Sequence, residues 1–169
     1  GRINKEDVQE RALYDSCTVA IDTGARREER GQRTVDSMQG GTNVIADAKS
    51  SAGNRTSPRH SKLKPRVVRL SAGAKGSDYL FRKLTAAQYG HRTDAIGKRF
   101  GRTKAALGYD GRYVFHSLRK TVATRLEQAG VLENVASDIL GHEKAATLSY
   151  GLYSSGTSIE QMRSAIETI

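Results

Sequence analysis

The sequence predicts a mainly α-helical fold with a small antiparallel β-sheet, an α+β domain. His116–Gln128 and Glu133–Leu140 contain neither Pro nor Gly, repeat apolar residues at helical spacing, and are each followed closely by a glycine. Thr42–Ala48 carries β-branched residues and follows two glycines, which predicts a strand after a turn. With 169 residues the chain is long enough for one domain with its own core.

The first half of the chain is less regular. An imperfect helical stripe of apolar residues runs through Gly1–Thr23. The predicted strand is followed by Ser50–Pro58, whose Ser, Gly and Asn residues predict a loop. Ser61–Leu70 is predicted to be helical despite its Lys and Arg content.

A basic helix is predicted over Asp94–Leu107. Ile96, Phe100 and Leu107 recur at helical spacing and are expected to face inward. Gly108 is placed to end this helix as a C′ glycine.

The last third gives the clearest pattern. Leu118, Val122 and Leu126 recur every four residues, which predicts one buried helical face. The final helix is predicted to begin with Thr157 as N-cap and Glu160 three residues later, the spacing of a capping box.

The net charge of +10 is concentrated in the middle of the chain. Lys49–Arg119 holds 17 Lys and Arg against 3 Asp and Glu, whereas Lys120–Ile169 holds 4 against 6. A local excess of base marks a surface for a polyanion such as DNA.

Composition excludes several classes of protein. No apolar run approaches the roughly 20 residues that span a bilayer, and no secretion signal opens the chain, so a soluble cytoplasmic protein is expected. Cys17 is the single cysteine, which rules out an internal disulfide. The four histidines lack the spacing of zinc sites.

Residues suited to phosphodiester chemistry occur in four short segments. They are Thr23-Gly-Ala-Arg26-Arg-Glu-Glu29, Lys49 after the predicted strand, His116-Ser-Leu-Arg119, and Leu140-Gly-His142 followed by Tyr150 and Tyr153. In this order they resemble the C-terminal catalytic domain of the tyrosine recombinase (phage integrase) family, especially integrases of prophages and genomic islands. The resemblance covers nearly the whole chain and is strongest from Tyr109 to Ser158.

The chemistry of these side chains agrees with the resemblance. Breaking a phosphodiester requires neutralisation of a developing pentacoordinate phosphate, and the forks of Arg26 and Arg119 suit its non-bridging oxygens. His116 lies three residues before Arg119 on the same helical face and is suited to relay the nucleophile's proton. His142 is expected to donate a further hydrogen bond to the phosphate. Glu29 is expected to hold the backbone around Arg26.

A lysine and a tyrosine complete the expected set. Lys49 is expected to be the general acid for the leaving 5′ oxygen. The family's nucleophile usually follows the Gly-His histidine by nine positions, where this chain has Gly151. Tyr153, in an apolar-Tyr-small context, is the first choice for the nucleophile, and Tyr150 is the second.

The resemblance implies a site-specific recombinase or integrase. Such an enzyme cuts and rejoins DNA through a covalent 3′-phosphotyrosyl intermediate, which integrates or excises a mobile element. Because the bond energy is kept in that link, no metal, nucleotide or other cofactor is expected. The expected partners are a double-stranded DNA attachment site, three further copies in a homotetramer on that DNA, and an accessory DNA-bending protein.

Two other functions stay open from the sequence. One is a noncatalytic basic DNA-binding module, a decayed integrase, and the other is an enzyme similar to type IB topoisomerases. The chain is expected to be a catalytic domain, residues 1–169, that lacks the N-terminal DNA-binding domains of such enzymes.

Some basic residues do not fit the expected packing. Arg30, Arg33, Arg59 and Arg66 stand where the family has apolar side chains. Burying an unpaired arginine costs several kcal/mol, so these chains either reach solvent or pack differently here. His60 and His91 fall in basic segments predicted to be at the surface, and no catalytic role is assigned to them.

Overall fold

The computed structural model describes residues 5–46, 54–82, 84, 92–142 and 156–169, without the side chains of residues 5–7, 28 and 30. In these ranges the chain forms α-helices and one two-stranded sheet. The helices are α1 (Lys5–Ile21), α2 (Arg27–Gly31), α3 (Lys64–Ser71), α4 (Asp94–Ala106), α5 (Ser117–Gln128), α6 (Glu133–Leu140) and α7 (Ile159–Ile166), and the strands are β1 (Thr42–Ile45) and β2 (Arg55–Pro58). The predicted fold class is confirmed.

Two apolar clusters form the core. The first collects buried residues of α1, α3, α4 and the segments near them: Leu13, Val19, Ala20, Met38, Leu63, Val67, Leu80, Phe81, Leu84, Ile96 and Phe115. The second lies between α5, α6 and α7: Val122, Leu126, Val135, Ile139, Leu140, Met162, Ala165 and Ile166. Leu118 of α5 packs against the first cluster, so α5 joins the two.

The sheet differs from the prediction at its second strand. β1 pairs with β2 in antiparallel register, with Thr42 opposite Pro58 and Ile45 opposite Arg55. The segment Ser50–Pro58 was predicted to be a loop, and this is wrong for its last four residues. The Ser and Asn residues of this segment favoured a loop in the prediction. The strand forms because it pairs with β1, and not because of its own β propensity.

Glycines end the helices as predicted. Gly130 and Gly141 both have positive φ, 74° and 66°, after α5 and α6. At Gly141 the left-handed turn allows the His142 N–H to donate to the Ser137 carbonyl at 3.0 Å, which closes α6.

The predicted cap of the last helix is wrong by one residue. Ser158 is the N-cap, and it exchanges reciprocal capping-box bonds with Gln161. Thr157 instead donates its hydroxyl to Asp138 Oδ2 at 2.6 Å. The same carboxylate oxygen accepts the Thr157 N–H, so the entry to α7 is fastened to α6.

The far end of α7 is fastened to the segment before α3. Glu167 accepts bonds from the Ser61 N–H at 2.6 Å and the Ser61 hydroxyl at 2.8 Å. His60 Nδ1 lies 3.4 Å from the same carboxylate. His60 is 3% exposed, so the prediction that it lies at the surface is wrong; His91 lies outside the described residues.

The unexpected arginines have three different environments. Arg33 is buried and its Nη1 donates to Met38 Sδ at 3.1 Å. Arg66 pairs with the buried Asp15 and stands over the Tyr14 ring. Arg59 is half-buried and burial lowers its pKa. The side chain of Arg30 is outside the described part.

None of the described helices is both long enough and apolar enough to cross a membrane.

We predict that Ser158→Ala destabilises the protein by about 1 kcal/mol, because the first turn of α7 loses its N-cap bond. Urea unfolding followed by circular dichroism measures the change. Ser164→Ala, at an exposed position inside the same helix, is the control and should leave stability unchanged or raise it by a few tenths of a kcal/mol, roughly the difference in helix propensity. Equal midpoints for the two variants would contradict the assignment of the cap.

Candidate active site

Arg119 lies at the centre of the candidate site. It projects from the first turn of α5 and is 5% exposed. Its Nη1 donates to the Gly24 carbonyl at 2.7 Å and its Nη2 to the Leu140 carbonyl at 2.5 Å. Burial, followed by repulsion from Arg26, lowers the pKa of Arg119 to about 10, so the side chain remains charged at neutral pH.

Gly24 makes this arrangement possible. Its φ is 62°, and a Cβ at this position would overlap the Leu140 side chain. The close approach lets the loop after α1 lie on the end of α6. The sequence signal for it was the Thr-Gly-Ala-Arg segment.

Arg26 follows this turn and is fixed by Glu29. The Arg26 N–H donates to Glu29 Oε2 at 2.8 Å and its Nη1 to Oε1 at 3.2 Å. Its Nη2 donates to the Gly141 carbonyl at 2.9 Å. The Arg26 side chain is 37% exposed, so it is the more accessible of the two predicted arginines.

A third arginine joins the site, and the sequence prediction missed it. Arg55, the first residue of β2, has an 8% exposed side chain and forms a fork with the Glu29 carboxylate at 3.3 and 3.4 Å. Its Nε donates to the Ile139 carbonyl at 3.0 Å. Arg55 was missed because its segment was assigned to a loop; an antiparallel partner for β1 was the only sequence signal that could have found it.

Glu29 is the anion that balances these cations. Burial by itself raises the pKa of Glu29, but Arg55, the N–H of Arg26 and the Arg26 guanidinium together lower it below its usual value. The carboxylate is therefore ionised at neutral pH and links two arginines.

The histidines lie at the rim of the cluster. His142 is exposed and follows the left-handed turn of α6. Burial, then the positive charges of Arg119, Arg26 and Arg55 and the proximity of His116, lower the pKa of His142, so this imidazole is neutral at pH 7. His116 is the exposed N-cap residue of α5, one turn before Arg119.

The predicted lysine and both tyrosines lie outside the described residues: Lys49, Tyr150 and Tyr153. The chain on either side of them is described. Arg55, opposite Ile45, stands at the base of the connection that carries Lys49. The tyrosine-bearing segment leaves at His142 and returns at Thr157, which is bonded to α6 through Asp138.

The described part of the site is rich in donors and poor in metal ligands. Within the described ranges no group of three His, Cys, Asp or Glu side chains is placed to hold a metal ion. The arrangement instead presents arginine and histidine N–H donors, which suit a phosphate.

Comparison with known proteins agrees with this chemistry. The sequence matches the model of the phage integrase family over residues 2–154. A solved structure of the Tn1549 transposon integrase in complex with circular intermediate DNA is similar in fold, with a TM-score of 0.60 at 18% identity. The match covers 99% of this chain and 64% of that one, so this chain spans less than two thirds of the integrase structure. No curated protein sequence matches the chain.

We predict that Glu29→Gln lowers stability by about 3 kcal/mol at neutral pH, because Arg55 keeps its buried charge without a counter-ion. The pKa of Glu29 is depressed below 4.5 in the folded protein, so its contribution is complete above that value and is lost as pH falls through the depressed pKa. The gap between wild type and variant should therefore close in acid. Urea midpoints measured over a pH series test this.

Glu127→Gln, at an exposed position on α5, is the matched control for this series. It should change stability by less than about 0.5 kcal/mol at every pH. A Glu29→Gln gap that stayed constant down to acid would contradict the assigned ion pair.

Proposed function

The chain belongs to the phage integrase family, and from this premise we propose that it is the catalytic domain of a site-specific DNA recombinase. It cleaves and rejoins DNA through a covalent 3′-phosphotyrosyl intermediate, for integration or excision of a mobile element. One observation carries the proposal: Arg26, Arg119 and His142, up to 116 positions apart in sequence, meet at the C-terminal turn of α6.

The arginines supply the electrostatic part of catalysis. A guanidinium has five N–H groups, and the side-chain bonds described above use two each at Arg26 and Arg119. Arg26, partly exposed, is placed to bind a non-bridging phosphate oxygen directly. Arg119 contributes its positive charge from a buried position, where low solvent exposure strengthens its attraction for the developing phosphorane.

The proposed reaction is an in-line displacement. The tyrosine oxygen forms a bond to phosphorus while the bond from phosphorus to the 5′ oxygen breaks. The phenol proton leaves through His116, and Lys49 gives a proton to the 5′ oxygen. One phosphoester replaces another, so the reverse attack by a 5′-hydroxyl rejoins the strand without an external energy source.

His142 acts in this scheme as a neutral donor. Its lowered pKa leaves the imidazole with one N–H, which is sufficient for one hydrogen bond to a phosphate oxygen. The cations that lower this pKa also favour the phenolate over the phenol, which assists a nucleophile with an ordinary pKa near 10.

The two ends of the tyrosine-bearing segment favour attack within the same chain. It leaves α6 at His142 and is fastened back to α6 by Thr157 and Asp138. Tyr153 is four positions from Thr157, a span of at most roughly 14 Å of extended chain. We propose Tyr153 as the nucleophile and Tyr150 as the alternative.

Duplex DNA is the proposed substrate, with an attachment site bound by a homotetramer and bent by an accessory protein. The basic middle of the chain supplies phosphate contacts, which makes binding salt-dependent.

We predict that the protein forms a covalent adduct with a nicked suicide substrate carrying its attachment site, in the presence of a metal chelator. The nick lets the cut end diffuse away, so the phosphotyrosyl link accumulates and is seen by denaturing electrophoresis. Tyr153→Phe should abolish the adduct and Tyr150→Phe should retain it. The opposite result would make Tyr150 the nucleophile.

Absence of any adduct from the wild-type chain on that substrate, with DNA binding intact, would indicate a noncatalytic DNA-binding module. Adduct formation followed by relaxation of supercoils at unrelated sequences would indicate a topoisomerase-like activity.

We predict that Arg119→Lys slows adduct formation by roughly 100-fold, because an ammonium cannot bond the Gly24 and Leu140 carbonyls together while facing the phosphate. Single-turnover rates at saturating DNA measure this loss. Arg125→Lys, at an exposed position on the same helix, is the matched control and should keep the wild-type rate. Equal rates for the two variants would contradict the assignment of Arg119 to the active site.

A further inference from the structure

The Arg55 side chain makes three of the hydrogen bonds described for the site, whereas the side chains of Arg26 and Arg119 make two each. Its three nitrogens bond the Ile139 carbonyl and both oxygens of Glu29. Arg26 is held by the same carboxylate. One side chain of β2 therefore connects the end of α6 with the residue that fixes Arg26.

The guanidinium of Arg55 also fills the space beside the turn after α6. A Cβ on Gly141 would overlap it. The left-handed turn and the guanidinium are thus packed directly on each other, and His142 is the next residue along the chain. A displacement of Arg55 would free the turn that places this imidazole.

The position of Arg55 in the hairpin gives it a third link. It is the β2 residue paired with Ile45, the last residue of β1. The connection that begins after this pair carries Lys49. Anchoring Arg55 to Glu29 and α6 therefore anchors the base of the lysine-bearing connection at the site.

We propose that Arg55 is a positioning residue, which sets the places of Arg26 and His142 relative to each other. This rests on the proposed recombinase function. Arg55 acts through its neighbours: its side chain is 8% exposed and directed at protein acceptors, so it holds the groups that meet the phosphate. Misplacement of catalytic groups by about 1 Å can cost roughly 100-fold in rate.

Two substitutions separate the charge of Arg55 from its geometry. Arg55→Lys keeps the positive charge but loses the fork, and we expect adduct formation to slow at least about 10-fold. Arg55→Met removes both, and we expect roughly 100-fold. Added guanidinium ion should restore part of the rate of Arg55→Met, as it can occupy the vacated fork site, and it should not accelerate the wild type.

A second measurement does not depend on catalysis. The groups that act on the His142 imidazole are Arg119, Arg26, Arg55 and His116, together with burial. Arg55→Met removes one cation and loosens the turn, so the pKa of His142 should rise toward 6.5. NMR titration of the imidazole in the DNA-free protein measures it, with His142→Gln identifying the signal.

Val135→Ala is the matched control for general loss of stability. Val135 is a buried residue of α6 in the second core cluster and takes part in none of the bonds described above for the site. It should lower the unfolding midpoint yet leave the adduct rate and the pKa of His142 as in the wild type. If both Arg55 variants lower stability but behave like Val135→Ala in the other two measurements, the proposal is wrong.

The outcomes also distinguish this proposal from the proposed function. If the wild-type chain forms no adduct, the recombinase function fails, and the pKa of His142 in Arg55→Lys, which keeps the cation but loses the fork, decides whether Arg55 places that residue. A pKa that differs from the wild type supports the placement, and an unchanged pKa contradicts it. If the wild type forms the adduct and Arg55→Lys forms it at the same rate, only the positioning role fails.

Discussion

Three arginine side chains held against the C-terminal turn of one helix are the constraint on which this structure depends. Arg55, Arg119 and Arg26 donate in turn to the carbonyls of Ile139, Leu140 and Gly141, the last residues of α6 and its cap. These carbonyls lie at the negative end of the helix dipole. A helix terminus thereby stabilises a concentration of positive charge that would repel itself in isolation.

The carbonyls do not balance this charge alone. Among the described residues, Glu29 is the carboxylate that bonds two of the three arginines, and its lowered pKa reflects their attraction. The described side-chain bonds of Arg119 go to carbonyl groups, and burial, followed by repulsion from Arg26, lowers its pKa to about 10. The cluster keeps a net positive charge because one anion offsets three cations, and this surplus is what a phosphate can neutralise.

Much of this arrangement could be predicted from the sequence, because it lies on helices whose apolar residues repeat at helical spacing. α5, which carries Arg119, and α6, which is capped by Gly141, are predicted by the spacing of their apolar residues and by the glycines that follow them. The resemblance added Arg26 and His142. The role of Arg55 could not be predicted, because β2 is a strand only through its pairing with β1. The four residues of β2 carry little sequence signal for that tertiary contact.

Two other errors have the same physical origin, whereas Leu107, which was expected to face inward, is 69% exposed just after α4. Thr157 and Ser158 both have the side chain of an N-cap, and sequence spacing favoured the first. The choice is made by Asp138, a residue of another helix, which takes the Thr157 hydroxyl and leaves Ser158 to cap α7. His60 was assigned to the surface from its basic neighbours, but it is buried, and its Nδ1 lies 3.4 Å from the carboxylate of Glu167, the C-cap residue of α7. A hydrogen-bond acceptor that is distant in sequence can take a side chain away from its local role, and the local sequence pattern does not show this.

The packing of α5 between the two apolar clusters explains why Arg119 is held rigidly. α5 contributes Leu118 to the first cluster and Val122 and Leu126 to the second, with Arg119 between them on the same helix. Rotating or sliding α5 to move Arg119 would therefore disturb both clusters at once. Close-packed interiors resist such movement, so the guanidinium is held in place. Preorganised charge of this kind needs no rearrangement in the transition state, which is the condition under which electrostatic stabilisation is most effective. In the proposed reaction Arg119 is therefore already in position when the phosphate binds.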